Sequence, residues 1–419
     1  MDQNDLHDHK QSAYRPFHST ETYLLKVHHD ITTALDNNCC SILVMLDLSA
    51  AFDVIDHKIL FRRLEHSYGL TGNSLSWIKS YLSNRTQHIA VGYSMSKAQS
   101  LATGVPQGSV LGPRLYCMFS KPIGEICKRH DMDYHCYADD SQIYITVEPR
   151  GSWDDKSVKL LNCVSDIGNW MSSNLLKLNQ DKTELIVFAP KSRLSEIEGF
   201  EIEFGGSVIQ AASYVKNLGT FFDKTLSMEK QCNSISRSCY MHVRNIGCIR
   251  PYISEDACKI LVNSLVTSRL DYGNALLYGI NKAFIKKLQR VQNTAARLVT
   301  RTKKSEHITP VLAQLHWLPV EFRIQYKLLL YVYKSLNGLS PVYLKELIKL
   351  YAPSRSLRSE SALQLEVPRT RTKTYGERRF DKAAAVLWNS IPDCLRKADS
   401  ILTFKKSLKT HLYIQAYDM

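Results

Sequence analysis

No apolar run in this 419-residue chain approaches the ~18 residues needed to cross a bilayer. The longest, such as Ser41 to Leu46 and Leu328 to Val332, are far shorter. A charged-then-apolar leader is also missing from the start, so the chain reads as neither secreted nor membrane-anchored. Metal-binding cysteine spacing is absent as well: Cys232, Cys239, Cys248 and Cys258 stand too far apart for a zinc knuckle or ribbon, and Cys39 and Cys40 are adjacent. The eleven cysteines therefore read as reduced, mostly buried thiols of an intracellular protein, cytoplasmic or nuclear.

What is present is enough apolar material, 44%, for two or three domains. Charge is unevenly placed. The formal +14 sits at the rear: residues 281–419 hold 26 Lys and Arg against 10 Asp and Glu, whereas residues 1–280 hold 28 against 30. Such a balance suits a protein that holds cations at one place and phosphates at another.

Ser41 to Leu46 (SILVML) reads as a buried central strand, which puts Asp47 at a strand end. Asp53-Val54-Ile55-Asp56 predicts a helix running to about Leu64, with Asp53 as N-cap and Asp56 three residues on as in a capping box. A second helix is predicted over Trp153 to Ser173, with Leu160, Leu161, Val164, Ile167, Trp170 and Met171 on one stripe. Beyond Asp223 the pattern is largely helical. Breaks are expected near Pro251, Gly279, Pro319, Gly338 and Pro353, and Thr309-Pro310 and Ser340-Pro341 read as caps followed by proline at the first helical position.

The stretch CYADDSQIYI (Cys136 to Ile145) sets Asp139 and Asp140 side by side between two strand-like runs, which predicts a hairpin with the acids at its tip. A lone acidic doublet at a turn is usually only solvated. Here a third acid, Asp47, ends a strand of the same expected sheet. Three converging carboxylates repel one another unless a cation neutralises them, and oxygen-only ligands select hard ions such as Mg²⁺ or Mn²⁺. Two ions ~4 Å apart form the clamp used in nucleotidyl transfer.

Three segments carry a specific resemblance: LDLSAAFDVIDH (Leu46 to His57), TGVPQGSVLGP (Thr103 to Pro113) and YADD (Tyr137 to Asp140). In this order and spacing they resemble the palm of reverse transcriptases of non-LTR, LINE-type, jockey-like retrotransposons. The likeness continues through QSAYRPFHSTET (Gln11 to Thr22), LKLNQDKTELIVF (Leu176 to Phe188), KNLGTFFDKTLS (Lys216 to Ser227), LHWLPVEFRIQYK (Leu315 to Lys327) and VLWNSIPDCLR (Val386 to Arg396). It implies an α+β right-hand polymerase: partial fingers over 1–40, palm with primer-grip hairpin over 41–223, a helical thumb-like region over 224–304 and a basic C-terminal region over 305–419.

The same resemblance implies roles. Asp47, Asp139 and Asp140 are the expected catalytic and metal-holding acids, with two Mg²⁺ or Mn²⁺ ions as cofactors. Phe52 is the expected gate against a ribose 2′-hydroxyl. Gln107 and Gly108 are expected to seat the incoming nucleotide, Gly104 and Gly108 to allow close backbone approach, and Lys182 to protonate or steer pyrophosphate. Arg15 is expected on template or triphosphate, and Leu218 and Gly219 on the primer end. RNA template, DNA primer and deoxynucleoside triphosphates are the implied partners. Arg114 and Lys121-Pro122 depart from the family pattern, and the short stretch before Gln11 leaves no room for the first finger strands, so an N-terminally truncated element copy is expected. The alternatives are a catalytically inactive nucleic-acid-binding remnant and an RNA-directed RNA polymerase, the latter disfavoured by the ring at Phe52.

Overall fold

The computed structural model describes residues 6–179, 182–204, 206–352 and 363–417. The chain divides into two compact units, and it crosses between them more than once. The first takes Met1–His18, Ser41–Val187 and Glu196–Ala212; the second takes Ser19–Cys40, Phe188–Ser195 and Ser213–Met419. No helix among the described residues is long and apolar enough to cross a membrane.

The first unit is built on a four-stranded sheet. In chain order its strands are β1 (Cys40–Leu46), β2 (Asp133–Tyr137), β3 (Asp140–Val147) and β4 (Glu184–Phe188), and their spatial order is β4-β1-β3-β2. Central placement explains why β1 is apolar on successive residues: Ile42, Leu43 and Val44 are fully buried on both faces. Each such side chain contributes about 1.5–3 kcal/mol when removed from water. The predicted helix over Trp153 to Ser173 is present with those bounds. Ser152 caps it by accepting from the Asp155 N–H, and Leu160, Cys163, Val164, Ile167 and Met171 form its buried stripe.

The other expected helix starts later. It spans His57–Tyr68, and its cap is Asp56, whose carboxylate accepts from the Ile59 N–H, 2.9 Å. Residues 51–54 instead turn and bend, and Phe52 to Asp56 run hydrogen-bonded beside the Thr103–Val105 segment. Gly104 N–H donates to Ile55 O and Val105 N–H to Phe52 O, both 2.8 Å, and Asp56 bridges Thr103. Long-range pairing has overridden the local capping signal.

The second unit is mainly helical and has the helix Thr20–Asp36 buried inside it. Ser19 and Thr22 close a reciprocal capping box at its start. Buried residues occur all around this helix, among them Tyr23, Leu24, Val27, His28, Ile31 and Leu35. Two acids tie it to distant sequence. Glu21 takes hydrogen bonds from Lys327 Nζ (2.8 Å), Tyr331 OH (2.5 Å) and the Gly273 N–H (2.8 Å). Burial disfavours that charge, but Lys327, Tyr331 and Gly273 outweigh it and hold the carboxyl below its ordinary range. Asp36, 1% exposed, accepts from the Thr372 N–H (2.7 Å), the Thr372 hydroxyl (2.9 Å) and the Arg371 N–H (3.1 Å), with Arg379 beside it. These anchors explain why residues 19–40 group with the chain beyond 213 rather than with the segment before them.

Several expected breaks fall where helices end: after Ile249 before Pro251, and after Leu336 before Gly338, while Pro319 is itself the N-cap of Val320–Leu336. Pro353 lies outside the described residues. The two expected Ser/Thr caps are displaced. The helix Ile308–Gln314 starts before Thr309 with His307 as a cap that makes no side-chain bond, and Pro341 itself is the N-cap of Val342–Lys345.

Candidate active site

Tyr137 pairs with Asp140 across the β2–β3 ladder, so only Ala138 and Asp139 form the hairpin loop. Such a loop follows the right-handed twist of its strands when its first residue has positive φ, a position that favours glycine. Here alanine occupies it, at φ 57°. That conformation costs an L-residue roughly 1–2 kcal/mol.

A buried side chain holds the strained residue in place. Gln11, 6% exposed, donates from Nε2 to Ala138 O (3.2 Å) and accepts at Oε1 from the Ala138 N–H (3.0 Å) and the Ala13 N–H (3.0 Å). Gln11 also bridges Cys136 in parallel register. Its segment carried a motif-level resemblance, but the sequence reading gave Gln11 no role.

Asp47 follows the buried end of β1. Its carbonyl accepts from the Asn179 N–H (2.9 Å), and Leu48 pairs with Leu178, so the LKLN segment fixes the backbone here. Lys182 places its ammonium 3.8 Å from the Asp47 carboxylate, where it offsets that charge in part. Asp140 is pushed up to about 6, first by burial and then by the charges of Asp139 and Asp47. Asp139 and Asp47 are therefore both within electrostatic reach of Asp140. Among the described residues no three Asp, Glu, His or Cys side chains are already drawn together as a metal cage. The donor set is nonetheless all oxygen, and its mutual repulsion is what a hard cation relieves.

Phe52 is half-buried and stacks on Tyr116, with centroids 4.7 Å apart and planes 30° apart. Tyr116 is wholly buried, its hydroxyl has no hydrogen-bond partner, and burial followed by the charges of Asp139 and other neighbours holds it protonated. The sequence reading missed Tyr116. An aromatic one turn into the helix Gly112–Ser120 that follows the VPQG turn was the only signal. Gln107 is exposed and donates to Asp53 Oδ1 (2.8 Å), so Asp53 orients a glutamine instead of capping a helix.

The two glycines beside Gln107 serve different ends. A Cβ on Gly104 would stand 2.7 Å from Asp53 O, a true close approach, whereas Gly108 has open space around it and is required for its φ of 74°. Arg15 spends Nη1 on the carbonyls of Asp8 (2.8 Å) and Gln11 (3.1 Å), bracing its own segment. Leu218 and Gly219 belong to the second unit. They form the two-residue turn of the Tyr214–Asn217 and Thr220–Asp223 hairpin, at φ 40° and 85°, and Tyr272 OH donates to Leu218 O (2.5 Å).

Residues 2–222 match the family model described as reverse transcriptase (RNA-dependent DNA polymerase). A probable RNA-directed DNA polymerase from transposon BS of Drosophila melanogaster is 27% identical over 70% of this chain and 33% of that protein. The RNA-directed DNA polymerase from mobile element jockey of the same organism is 26% identical over 69% of this chain and 32% of that protein. The chain thus spans about a third of the length of these relatives. Among solved structures, a telomerase from Candida albicans in complex with a telomeric RNA fragment is similar at 13% identity and a TM-score of 0.34, over 73% of this chain and 51% of that one. The likeness to jockey-like, non-LTR elements read from the motifs is borne out by the two Drosophila relatives. With the family model matched across more than half of its length, this chain belongs to the reverse transcriptase family.

Proposed function

We propose that the chain is the polymerase portion of a non-LTR retrotransposon protein, adding deoxynucleotides to a primer 3′-hydroxyl on an RNA template. The observation that carries this reading is the placement of the three acids on one sheet: Asp47 follows the end of β1, and Asp139 and Asp140 sit at the turn into β3, the strand next to β1. In this reading the first unit serves as palm and the second supplies the thumb and basic region. Asp47, Asp139 and Asp140 hold two divalent ions, Mg²⁺ or Mn²⁺. When bound, those ions supply the charge neutralisation and Lewis acidity that in-line phosphoryl displacement requires.

The chain's own groups do the rest. Gln11 fixes the turn that carries Asp139, so the carboxylate is positioned before substrate arrives. Phe52, backed by Tyr116, fills the space beneath the sugar and excludes a 2′-hydroxyl. Asp53 holds Gln107 at the nucleotide side. Lys182 is close enough to Asp47 to move with that site's charge and to donate a proton or a positive charge to the departing pyrophosphate. Leu218 and Gly219 present the hairpin turn to the primer end, and Arg15 acts through the loop it braces.

Primer extension on RNA and DNA templates tests the reading. Extension that requires Mg²⁺ or Mn²⁺ and is lost in Asp139→Asn supports it. Oligonucleotide binding without any extension, in wild type and Asp139→Asn alike, replaces it with the non-catalytic binding role.

A further inference from the structure

The second unit contains a cavity of about 650 Å³. That is within the roughly 300–1,000 Å³ typical of small-ligand pockets. Its walls come from helices Glu255–Val262, Val320–Leu336 and Ile401–Tyr417, from the loop around Trp317, and from a wide π-type turn over Asn263–Thr267. Single π turns inside helical segments recur at functional sites.

Its charge is one-sided. Arg323 is neutralised by a bidentate pair with Asp271 (2.8 and 2.5 Å), and Lys327 by Glu21. Lys259, Lys405 and Lys409 also line the cavity, and none of them meets a carboxylate among the described residues. Lys405 and Lys409 lie one turn apart on the same helix. Burial first, then the charges of Lys405 and Lys327, hold the nearby Lys334 ammonium below its ordinary range. Together Lys259, Lys405 and Lys409 make a positive wall to which an anion is complementary.

Two further features narrow that anion's identity. Flat rings line the wall: Trp317, 7% exposed, and the half-buried Tyr326. The wall is fixed, because Tyr417 OH donates to Trp317 O (2.5 Å), Tyr413 OH to Ala313 O (2.8 Å) and Gln292 Nε2 to Leu318 O (2.9 Å). Asn274, 2% exposed, also lines the cavity. Its amide NH₂ faces Asp271 Oδ1 at 3.5 Å, which sets the amide orientation and leaves Oδ1 buried without a donor. A buried acceptor left without a donor costs about 1–3 kcal/mol. A ligand with a planar ring, an N–H donor and adjacent phosphate charge satisfies every wall at once.

We propose that this cavity takes one unpaired nucleotide of a single-stranded nucleic acid, its base against the rings and Asn274 Oδ1, its flanking phosphates on Lys259, Lys405 and Lys409. The assignment rests on the reading of the chain as a nucleic-acid polymerase and adds a second, base-capturing site wholly within the unit that lacks the three aspartates. Stacking on aromatic side chains contributes about 1–3 kcal/mol per base in such sites.

The test uses the full chain with three probes: an eight-nucleotide oligo(A) RNA, an abasic ribose-phosphate oligomer of the same length, and a phosphoserine peptide. Lys405→Gln/Lys409→Gln should weaken both oligomers about tenfold and flatten the salt slope by about 1.4, the value for two contacts to a single strand. Asn274→Leu should weaken oligo(A) about fivefold and leave the abasic oligomer unchanged, and a 4-thiouridine oligomer should crosslink to Trp317 or Tyr326. If Asn274→Leu does not fold, the lysine pair and the crosslink carry the test alone. Equal binding of oligo(A) and the abasic oligomer, unchanged binding in the lysine pair, or preferential capture of the phosphopeptide would overturn the proposal. Wild-type protein that binds and extends primers while the variants behave identically sinks this inference alone, whereas wild type that neither binds nor extends sinks the polymerase reading beneath it.

Discussion

The side-chain amide of Gln11 pairs with Ala138 as a strand neighbour would, giving its N–H to the Ala138 carbonyl and taking the Ala138 N–H at its oxygen. The clamp is local in space and 127 residues apart in sequence. Gln11→Ala leaves both backbone groups of Ala138 buried and unpaired, so unfolding free energy should fall by about 1–3 kcal/mol. If Gln11 positions Asp139, the Mg²⁺ concentration for half-maximal extension should also rise, an effect that a purely structural role would not produce. Gln11→Glu keeps the acceptor and should fall between the two.

Asp140 should make the metal-free protein sensitive to pH. Its carboxyl is raised in the folded state to about 6 from an ordinary 3.8. The folded state then binds the extra proton, so this contribution to stability is fully present below about 4 and is lost as pH rises through about 6. Thermal midpoints of wild type and Asp140→Asn, measured from pH 4 to 8, should diverge in favour of the variant as pH increases. Saturating Mg²⁺ should shrink the difference. A constant gap across that range would mean that neither burial nor the charges of Asp139 and Asp47 act on Asp140.

Asp47→Asn and Asp139→Asn remove charge while keeping shape. Extension should drop by several orders of magnitude, with circular dichroism unchanged. Full activity in either variant would remove the two-metal reading.

Phe52→Ala should admit ribonucleotides by opening the space above Tyr116, and Phe52→Tyr should keep discrimination. Tyr116→Phe removes a buried hydroxyl that has no partner, so it should preserve selection and leave stability equal or higher. Single-nucleotide incorporation with matched ribo- and deoxynucleoside triphosphates reads both effects. Unchanged exclusion of ribonucleotides by Phe52→Ala would make Phe52 a packing residue only.

Asp36→Ala strips the acceptor from three donors of residues 371–372 and removes one of two carboxylates beside Arg379, which keeps its bidentate pair with Asp381. Leaving such buried donors without their acceptor costs about 1–3 kcal/mol. Urea unfolding should show that loss, and Asp36→Asn, which still accepts hydrogen bonds, should recover part of it. A change under about 1 kcal/mol for Asp36→Ala would show that the cluster adds little.

Features governed by neighbours in sequence were legible beforehand. β1 announced itself through continuous apolar residues, Trp153–Ser173 through its stripe and cap, and Asp139 through the strand runs on either side. Features governed by distant partners were not. Asp53 looks like a cap from its own surroundings, yet Gln107, 54 residues on, claims its carboxylate. Gln11 is invisible without the turn it holds, and Tyr116 acquires meaning only beneath Phe52. The grouping of residues 19–40 with the far half of the chain has the same cause.

That grouping bears on how the protein is made. Lys327, which meets Glu21 of the Thr20–Asp36 helix, is encoded 306 residues after it. At ~5–20 residues per second, the wait is roughly 15–60 s. Its tertiary partners arrive in stages, Phe222 against His28 first, then Tyr272 and Gly273, and Lys327 and Tyr331 last. The nascent chain must therefore shelter part of this segment, by chaperone or by temporary contacts, until the residues around Lys327 and Tyr331 have been made.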